Sequence, residues 1–164
     1  MTVPSQADIL KKAWERASND TEFAGLMAGR VHNYVPQESP LPFARVRWGQ
    51  SMEWDQKDSD GCQGYITIDI FTDYRGDRKA LQAADRAIEI FHNNPLALEG
   101  AQSLILRRDF VDAFTEPDGI THHTVVRFLH VATETEEAIT YFYLRPDGSE
   151  YLRPDGITAY ARPA

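Results

Sequence analysis

The sequence has a single cysteine, Cys62, so it cannot build an internal disulfide framework. It has no apolar run near the roughly 20 residues that cross a bilayer. Its first residues also lack the charged and apolar regions of a secretion signal, so we expect folding in the cytoplasm. Cys62 lies in a polar run at 58–64 that is typical of a turn, and a role as nucleophile is the alternative.

Positive charge is scarce. Seventeen Lys and Arg stand against 25 Asp and Glu, a net charge of −8. This acidity argues against electrostatic capture of nucleic acid and against binding to an anionic membrane surface. Residues 138–164 hold three Arg and three acids, so the whole net charge lies in 1–137. With 164 residues, 42% hydrophobic and 26% charged, the chain is expected to fold as one domain with an appendage.

Catalytic and metal-binding patterns are also missing. There is no paired cysteine, no His-Glu-x-x-His, no calcium loop, no glycine-rich phosphate loop and no Gly-x-Ser-x-Gly. His122 and His123 are consecutive, so on a strand they point to opposite faces. His32, His92 and His130 are isolated and are interpreted as surface or interface residues. We therefore predict no catalytic, cofactor-binding or metal-binding residue, and a protein that is not an enzyme.

Helical periodicity marks three segments. Ser5 caps the first, and Trp14 is interpreted as part of its apolar core face. A short helix is expected at 22–28, ended by Gly29. The third runs over 77–92, and its core stripe is Leu81, Ala84, Ile88 and Phe91.

Alternating patterns predict strands at 30–35, 43–48, 65–71, 103–111 and 121–133. Runs of strands without regular β-α-β alternation indicate an α+β fold. We expect a largely antiparallel sheet packed against two main α-helices. The strands 43–48 and 65–71 would form a hairpin with a projecting loop at 53–64.

That loop is acidic and flanked by tryptophans. Because exposed aromatic side chains are frequent at interfaces, the loop is a candidate interaction surface. A solvated loop is the simpler interpretation of its carboxylates, and a metal or acid–base cluster is the enzymatic alternative. The candidate residues here are Trp48, Glu53, Trp54, Asp55, Asp58 and Asp60.

Residues 138–164 differ from the domain at 1–137. Tyr-Leu-Arg-Pro-Asp-Gly occurs twice, from Tyr143 and from Tyr151, and each copy favours a tight turn. We expect a C-terminal extended or hairpin arm. It either adds a strand to a neighbour's sheet or folds back on its own domain. Its candidate interface residues are Tyr143, Arg145, Tyr151 and Arg153.

The order of these landmarks over about 7–133 resembles the tail-completion, or tail-terminator, family of long-tailed bacteriophages. No single motif is catalytic, and the resemblance lies in their order and spacing. The landmarks after the first helix are Gly29-Arg-Val-His, the proline-rich 35–43, the strands 43–48 and 65–71, Gly76-Asp-Arg-Lys-Ala, Pro95-Leu-Ala-Leu, and Asp118-Gly-Ile-Thr-His-His before Val125-Val-Arg-Phe.

The resemblance implies a structural virion protein that forms a ring, typically a hexamer, at the head-proximal end of the tail tube. Such a ring stops tube growth and joins the tail to the head connector. Its implied partners are its own copies, the tail tube protein and the head–tail connector protein, and DNA passes through the lumen without sequence-specific binding. The implied location is the tail or neck of the virion, after assembly in the host bacterial cytoplasm. The alternatives are a head-side neck connector or stopper protein, or a metal-dependent enzyme using the acidic loop.

Overall fold

The structure, a computed structural model, describes residues 4–55, 60–73 and 75–135. This part of the chain forms three helices and five strands. Two helices precede all five strands, and the third lies between the central strand and the last hairpin. The elements are α1 Gln6–Asn19, α2 Thr21–Leu26, β1 Val31–His32, β2 Phe43–Glu53, β3 Gly61–Thr72, α3 Arg78–Phe91, β4 Ala101–Thr115 and β5 His122–Glu134.

The five strands form one sheet in the order β1-β2-β3-β5-β4. All pairs are antiparallel except β1 with β2, which is parallel. The α+β fold with a largely antiparallel sheet is therefore confirmed, as is the pairing of β2 with β3. One edge of the sheet carries the two-residue β1, and the other carries β4, which has 15 residues.

The helices lie on one face of the sheet and bury its apolar side chains. Ile66, Ile68 and Ile70 alternate along β3 and are fully buried, as the period of two predicts. Helix α3 presents small residues to the sheet, which allows close approach. Its last residue, Phe91, packs against Phe128 of β5 at 5.2 Å between ring centroids.

The helix ends are set by local polar contacts. The Ser5 hydroxyl accepts a hydrogen bond from the Asp8 backbone N–H at 3.3 Å, which confirms the predicted N-cap of α1. Asp20 ends α1 and begins α2, where its carboxylate accepts from the Phe23 N–H at 2.8 Å. Beyond α2, Gly29 has a φ of 74° and donates back to the Ala24 carbonyl.

Two helical residues assigned to the core are on the surface. Leu81 is 42% exposed, because α3 turns it away from the sheet while Ala84 and Phe91 are buried. Trp14 is 37% exposed, and its Nε1 donates to the Val31 carbonyl at 3.0 Å. The indole therefore connects α1 to β1 at the surface, where its polar edge finds a partner.

The strands are longer than their patterns predict. β2 continues to Glu53 and β3 begins at Gly61, so the acidic connection is shorter than 53–64. Cys62 lies in β3 and is buried, which corrects its assignment to a turn. The strand expected at 30–35 is reduced to Val31–His32.

The C-terminal arm expected at 138–164 lies outside the described residues, as do Tyr143, Arg145, Tyr151 and Arg153. Within the described ranges, no helix is long and apolar enough to cross a membrane.

Candidate functional site

The acidic loop joins β2 to β3 at one end of the sheet, and the described residues fix its two ends. The Trp54 N–H donates to the Gly61 carbonyl at 3.1 Å, and the Gly61 N–H donates to Asp55 Oδ1 at 3.2 Å. A Cβ on Gly61 would lie 2.3 Å from the Trp54 carbonyl oxygen, so only glycine fits this closure. Asp58 belongs to the part of the loop, 56–59, outside the described residues.

The loop is also tied to the end of β5. The Glu134 N–H donates to the Asp60 carbonyl at 3.0 Å, and the Asp60 N–H faces Glu134 Oε1 at 3.4 Å. Next to it, the Thr135 N–H donates to the Gly100 carbonyl, just before β4. The acidic loop and the point where the chain leaves β5 are therefore neighbours.

The sequence-predicted residues fall into two groups. Glu53, Trp54, Asp55 and Asp60 come together at the loop, with Glu53 and Asp55 exposed. Trp48 is separate from them and is half-buried against the core. Neither tryptophan is an exposed side chain at a tip, because the extra residues of β2 hold Trp48 within the sheet.

Trp48 forms a tight contact with the central strand. A Cβ on Gly64 would lie 2.3 Å from Trp48 Cζ2, so the indole occupies the space that a side chain would take. Its ring meets His130 edge-on, at 6.1 Å between centroids and 76° between planes. Trp48 is therefore a packing residue at the loop end of the sheet.

His130 is buried, which corrects its assignment to the surface. It is 0% exposed, and its Nε2 lies 2.9 Å from the Ser103 hydroxyl. Desolvation by burial, with a smaller contribution from the positive charge of Arg16, lowers the pKa of His130 to about 4. The imidazole is therefore neutral at neutral pH.

The sheet face opposite the helices carries a row of rings that runs across four strands. Phe43 stacks on Phe71 at 4.8 Å, Phe71 stacks on His123 at 4.1 Å, and His123 meets Phe114 at 4.7 Å. The row follows the strand register, which aligns Phe43 with Phe71, Phe71 with His123, and His123 with Phe114. Sequence patterns did place Phe71 on this face, but register depends on pairing and could not be obtained from them.

Charged residues surround that row. Arg47 Nε donates to Asp69 Oδ2 at 2.6 Å, and Asp69 Oδ1 lies 3.3 Å from His123 Nε2. The other ring nitrogen of His123 lies 2.8 Å from Glu116 Oε1. Sequence analysis missed this network, because its members come from four separate segments of the chain.

Arg127 joins aromatic and acidic partners on the same face. Its guanidinium lies 4.5 Å from the Tyr65 ring centroid and 4.3 Å from that of Phe110. Its Nε donates to Asp109 Oδ2 at 2.6 Å. This combination of cation–π contacts and an ion pair links β3, β5 and β4.

Within 4–55, 60–73 and 75–135, no group of three or more His, Cys, Asp or Glu side chains converges as a metal site. At the loop, the Asp55 carboxylate accepts from the Gly61 N–H, and Glu53 is exposed. Burial raises the pKa of the Cys62 thiol, and a buried neutral thiol is a poor nucleophile. What the described geometry offers is surface for contact: the loop, the ring-bearing face and the long edge strand.

Comparison with known proteins gives a family match and matches among solved structures. A family model described as "Tail completion protein gp17" matches residues 14–133. A chain from a solved structure titled "Virion of native gene transfer agent (GTA) particle" has a similar fold, with a TM-score of 0.70 and 18% sequence identity. The match covers 79% of this chain and 99% of that chain. No curated protein sequence matches.

Proposed function

Because this chain belongs to the tail completion protein gp17 family and is a structural tail protein, we propose that it forms a ring at the head-proximal end of the phage tail tube. The ring ends tube growth and joins the tail to the head connector. The observation that carries this proposal is the family match over 14–133, which spans all the strands and helices from Trp14 to Thr133. The fold shared with a chain of a gene transfer agent virion agrees with it.

A ring needs a heterologous interface, in which two different patches of one subunit meet. The sheet supplies two unlike edges, the two-residue β1 and the 15-residue β4. A chain of this length has a radius of gyration of about 15 Å and a diameter of about 40 Å. Six such discs enclose a hole of about one disc diameter, which is wide enough for a DNA duplex. A hexamer therefore fits the size of the subunit.

The acidic loop suits the lumen of such a ring. Glu53, Asp55, Asp58 and Asp60 outnumber the single Lys57, so the loop has a net charge of −3. An acidic lining repels phosphate and lets DNA slide without sequence-specific binding. In this role the chain does no chemistry, and its partners are its own copies, the tail tube protein and the head connector protein.

Native mass spectrometry and electron microscopy of the purified protein, alone and with tail tubes, test the proposal. We expect a ring of about six copies that binds one end of the tube and prevents further polymerisation. A protein that stays monomeric with tubes present, or binds along their sides, would contradict it.

A head-side connector or stopper protein would also form a ring, so the end of the tail has to be identified. Gold labelling of the protein on isolated tails should mark the head-proximal tip. Label found only on heads that lack tails would overturn the tail-terminating role. Assembly in the host cytoplasm predicts the same ring in lysates of cells that express the protein without a virion.

A further inference from the structure

Strand β4 is the edge of the sheet, and two of the backbone groups on its outer side are already paired. The Asn93 N–H donates to the Leu106 carbonyl at 2.7 Å, and the Arg108 N–H donates to His92 Nδ1 at 3.0 Å. The two residues after α3 therefore occupy one C=O and one N–H group that point outward in the middle of β4. Beyond Arg108, the outer side of the strand makes no backbone hydrogen bond with another described residue.

The strand register shows which backbone groups remain open. Backbone groups alternate sides along an antiparallel strand, and those of Arg108 point outward. The pairing is irregular between Arg108 and Phe110, so one extra residue of β4 shifts the alternation. On β5, Phe128, Val126 and Thr124 are spaced by two and point their backbone groups to the same side. Their partners on β4 are Arg108, Val111 and Ala113. The N–H and C=O groups of Val111 and Ala113 therefore face away from the sheet.

The six side chains along this open edge are exposed, and four of them are apolar. Phe110 is 36% exposed, Val111 is 37% and Phe114 is 43%. An unpaired edge with exposed apolar side chains is a template for an added strand. The open stretch, 110–115, is six residues long, which is the length of an ordinary strand.

The sequence contains a segment of matching character. Residues 138–144 read Ala-Ile-Thr-Tyr-Phe-Tyr-Leu, with no charge and mostly β-branched or aromatic side chains. They lie outside the described residues, and they follow closely on Thr135. We propose that the 110–115 edge of one subunit binds residues 138–144 of the neighbouring copy as an added strand. This inference rests on the proposed ring.

Chain length excludes the subunit's own segment as the occupant. Thr135 sits beside Gly100, at the opposite end of β4 from 110–115. The distance along β4 from Ala101 to Phe110 is about 30 Å, and to Thr115 it is about 46 Å. Residue 138 lies within about 10 Å of Thr135, and residue 144 within about 31 Å, even when fully extended. Even fully extended, the segment ends near the first residue of the open stretch, so it cannot pair along 110–115 of its own subunit.

The neighbour's edge has to lie close to Thr135. Residues 138–144 reach only about 10–31 Å from it, so the 110–115 edge of the neighbour has to lie against the Thr135 end of the subunit, where two subunits of a ring touch. Each copy would then receive one segment and give one. The exchange runs in one direction around the ring and uses two different patches, as a closed cyclic assembly requires.

Disulfide crosslinking between two variants tests the exchange directly. One protein carries Val111→Cys, and the other carries a cysteine in place of Ile139, Tyr141 or Tyr143 to cover the registers of pairing. We expect a covalent heterodimer in at least one mixture after mild oxidation. Parent protein treated alike is the control, because its buried Cys62 should not crosslink. If no mixture crosslinks although rings are intact, the proposal is wrong. It is also wrong if a chain that carries both cysteines crosslinks only within itself.

A second test removes one hydrogen-bond donor from the open edge. Ala113→Pro deletes an outward N–H without removing a bond to β5, and edge strands accept proline. Ala113→Ser, which keeps the N–H, is the matched control. We expect Ala113→Pro to weaken subunit association about fivefold and Ala113→Ser to leave it unchanged. Equal association of both variants would contradict the added strand.

Truncation after Glu137 separates this inference from the proposed ring. If the full chain forms rings and the truncated chain dissociates at the same concentration, both are supported. If the truncated chain forms equally stable rings, the strand exchange is wrong and the ring stands. If the full chain forms no ring with tail tubes present, the proposed function itself fails.

Discussion

The indole of Trp48 covers Gly64 on the neighbouring strand so closely that a Cβ there would lie 2.3 Å from Cζ2. Position 64 therefore has room for glycine but not for a residue with a side chain. The contact also sets the position of the indole against the buried His130. The pair lies where the sheet core ends, next to the acidic loop.

Gly64→Ala should therefore destabilise the fold. The added methyl group must displace the indole, and overpacking of this kind costs about 1–3 kcal/mol. Gly49→Ala is the matched control on β2, because its Cβ would meet its nearest atom, the Tyr65 carbonyl oxygen, at 3.4 Å. Urea unfolding followed by tryptophan fluorescence measures both. Equal stability of the two variants would contradict this account of Trp48.

His130 should make stability depend on pH in a defined range. Its folded pKa of about 4 lies below the unfolded value of about 6.5. The unfolded chain therefore binds more protons between these values, and stability falls as the pH decreases through this window. The loss between pH 7 and pH 5 is about 2 kcal/mol.

His130→Gln checks the assignment. The amide retains a partner for the Ser103 hydroxyl but does not titrate, so the slope of unfolding free energy between pH 4 and 6.5 should flatten. If the slope persists in His130→Gln, another group causes it.

Asp20 should make stability depend on pH in a separate, more acidic range. The hydrogen bond from Arg86 is the main cause that lowers the pKa of Asp20, and the Phe23 N–H adds to it. Because the folded pKa is depressed, this contribution is present above about pH 4 and disappears as the pH falls through the folded pKa. Asp20→Asn should remove that acid-range loss and keep the cap of α2.

Asp20→Ala should lose the cap as well as the ion pair. Loss of an N-cap costs about 1 kcal/mol, so at neutral pH we expect Asp20→Ala to unfold at lower urea than Asp20→Asn. Glu22→Ala, an exposed partner of the same arginine, is the control and should change stability little. Reversal of the order of Asp20→Ala and Asp20→Asn would contradict the capping role.

Neutralising the acidic loop should slow the passage of DNA. Glu53→Gln and Asp60→Asn together remove two charges without touching the Asp55 carboxylate, which accepts from the Gly61 N–H. We expect virions with these substitutions to assemble and to eject DNA more slowly. The control is Glu38→Gln with Asp73→Asn, two exposed acids elsewhere. Equal ejection rates in both sets would contradict the placement of the acidic loop in the lumen.

Periodicity was sufficient for the element types. The alternation at 65–71 and the three-and-four spacing at 77–92 each correspond to an observed element, and Ser5 and Gly29 stand at the ends they predict. Sequence patterns failed where burial depends on distant partners. Leu81 fits an apolar stripe yet faces solvent, and His130 is buried because Ser103 and Trp48 meet it from other strands.

The candidate site shows the same division. The acid-rich composition located the loop, and the structure brings Glu53, Trp54, Asp55 and Asp60 together there. Two other features depend on strand register and on where α3 ends. They are the network of Arg47, Asp69, His123 and Glu116, and the open stretch of β4 at 110–115. Neither is encoded in a local pattern.

The cap that His92 and Asn93 place on the middle of β4 also bears on solubility. A fully open strand of 15 residues would favour edge-to-edge association of copies into fibrils. Because two outward backbone groups are already hydrogen-bonded within the subunit, a strand from another copy can pair only along a short stretch and not along the whole edge. The residues that follow α3 thus reduce the tendency of the unassembled protein to aggregate.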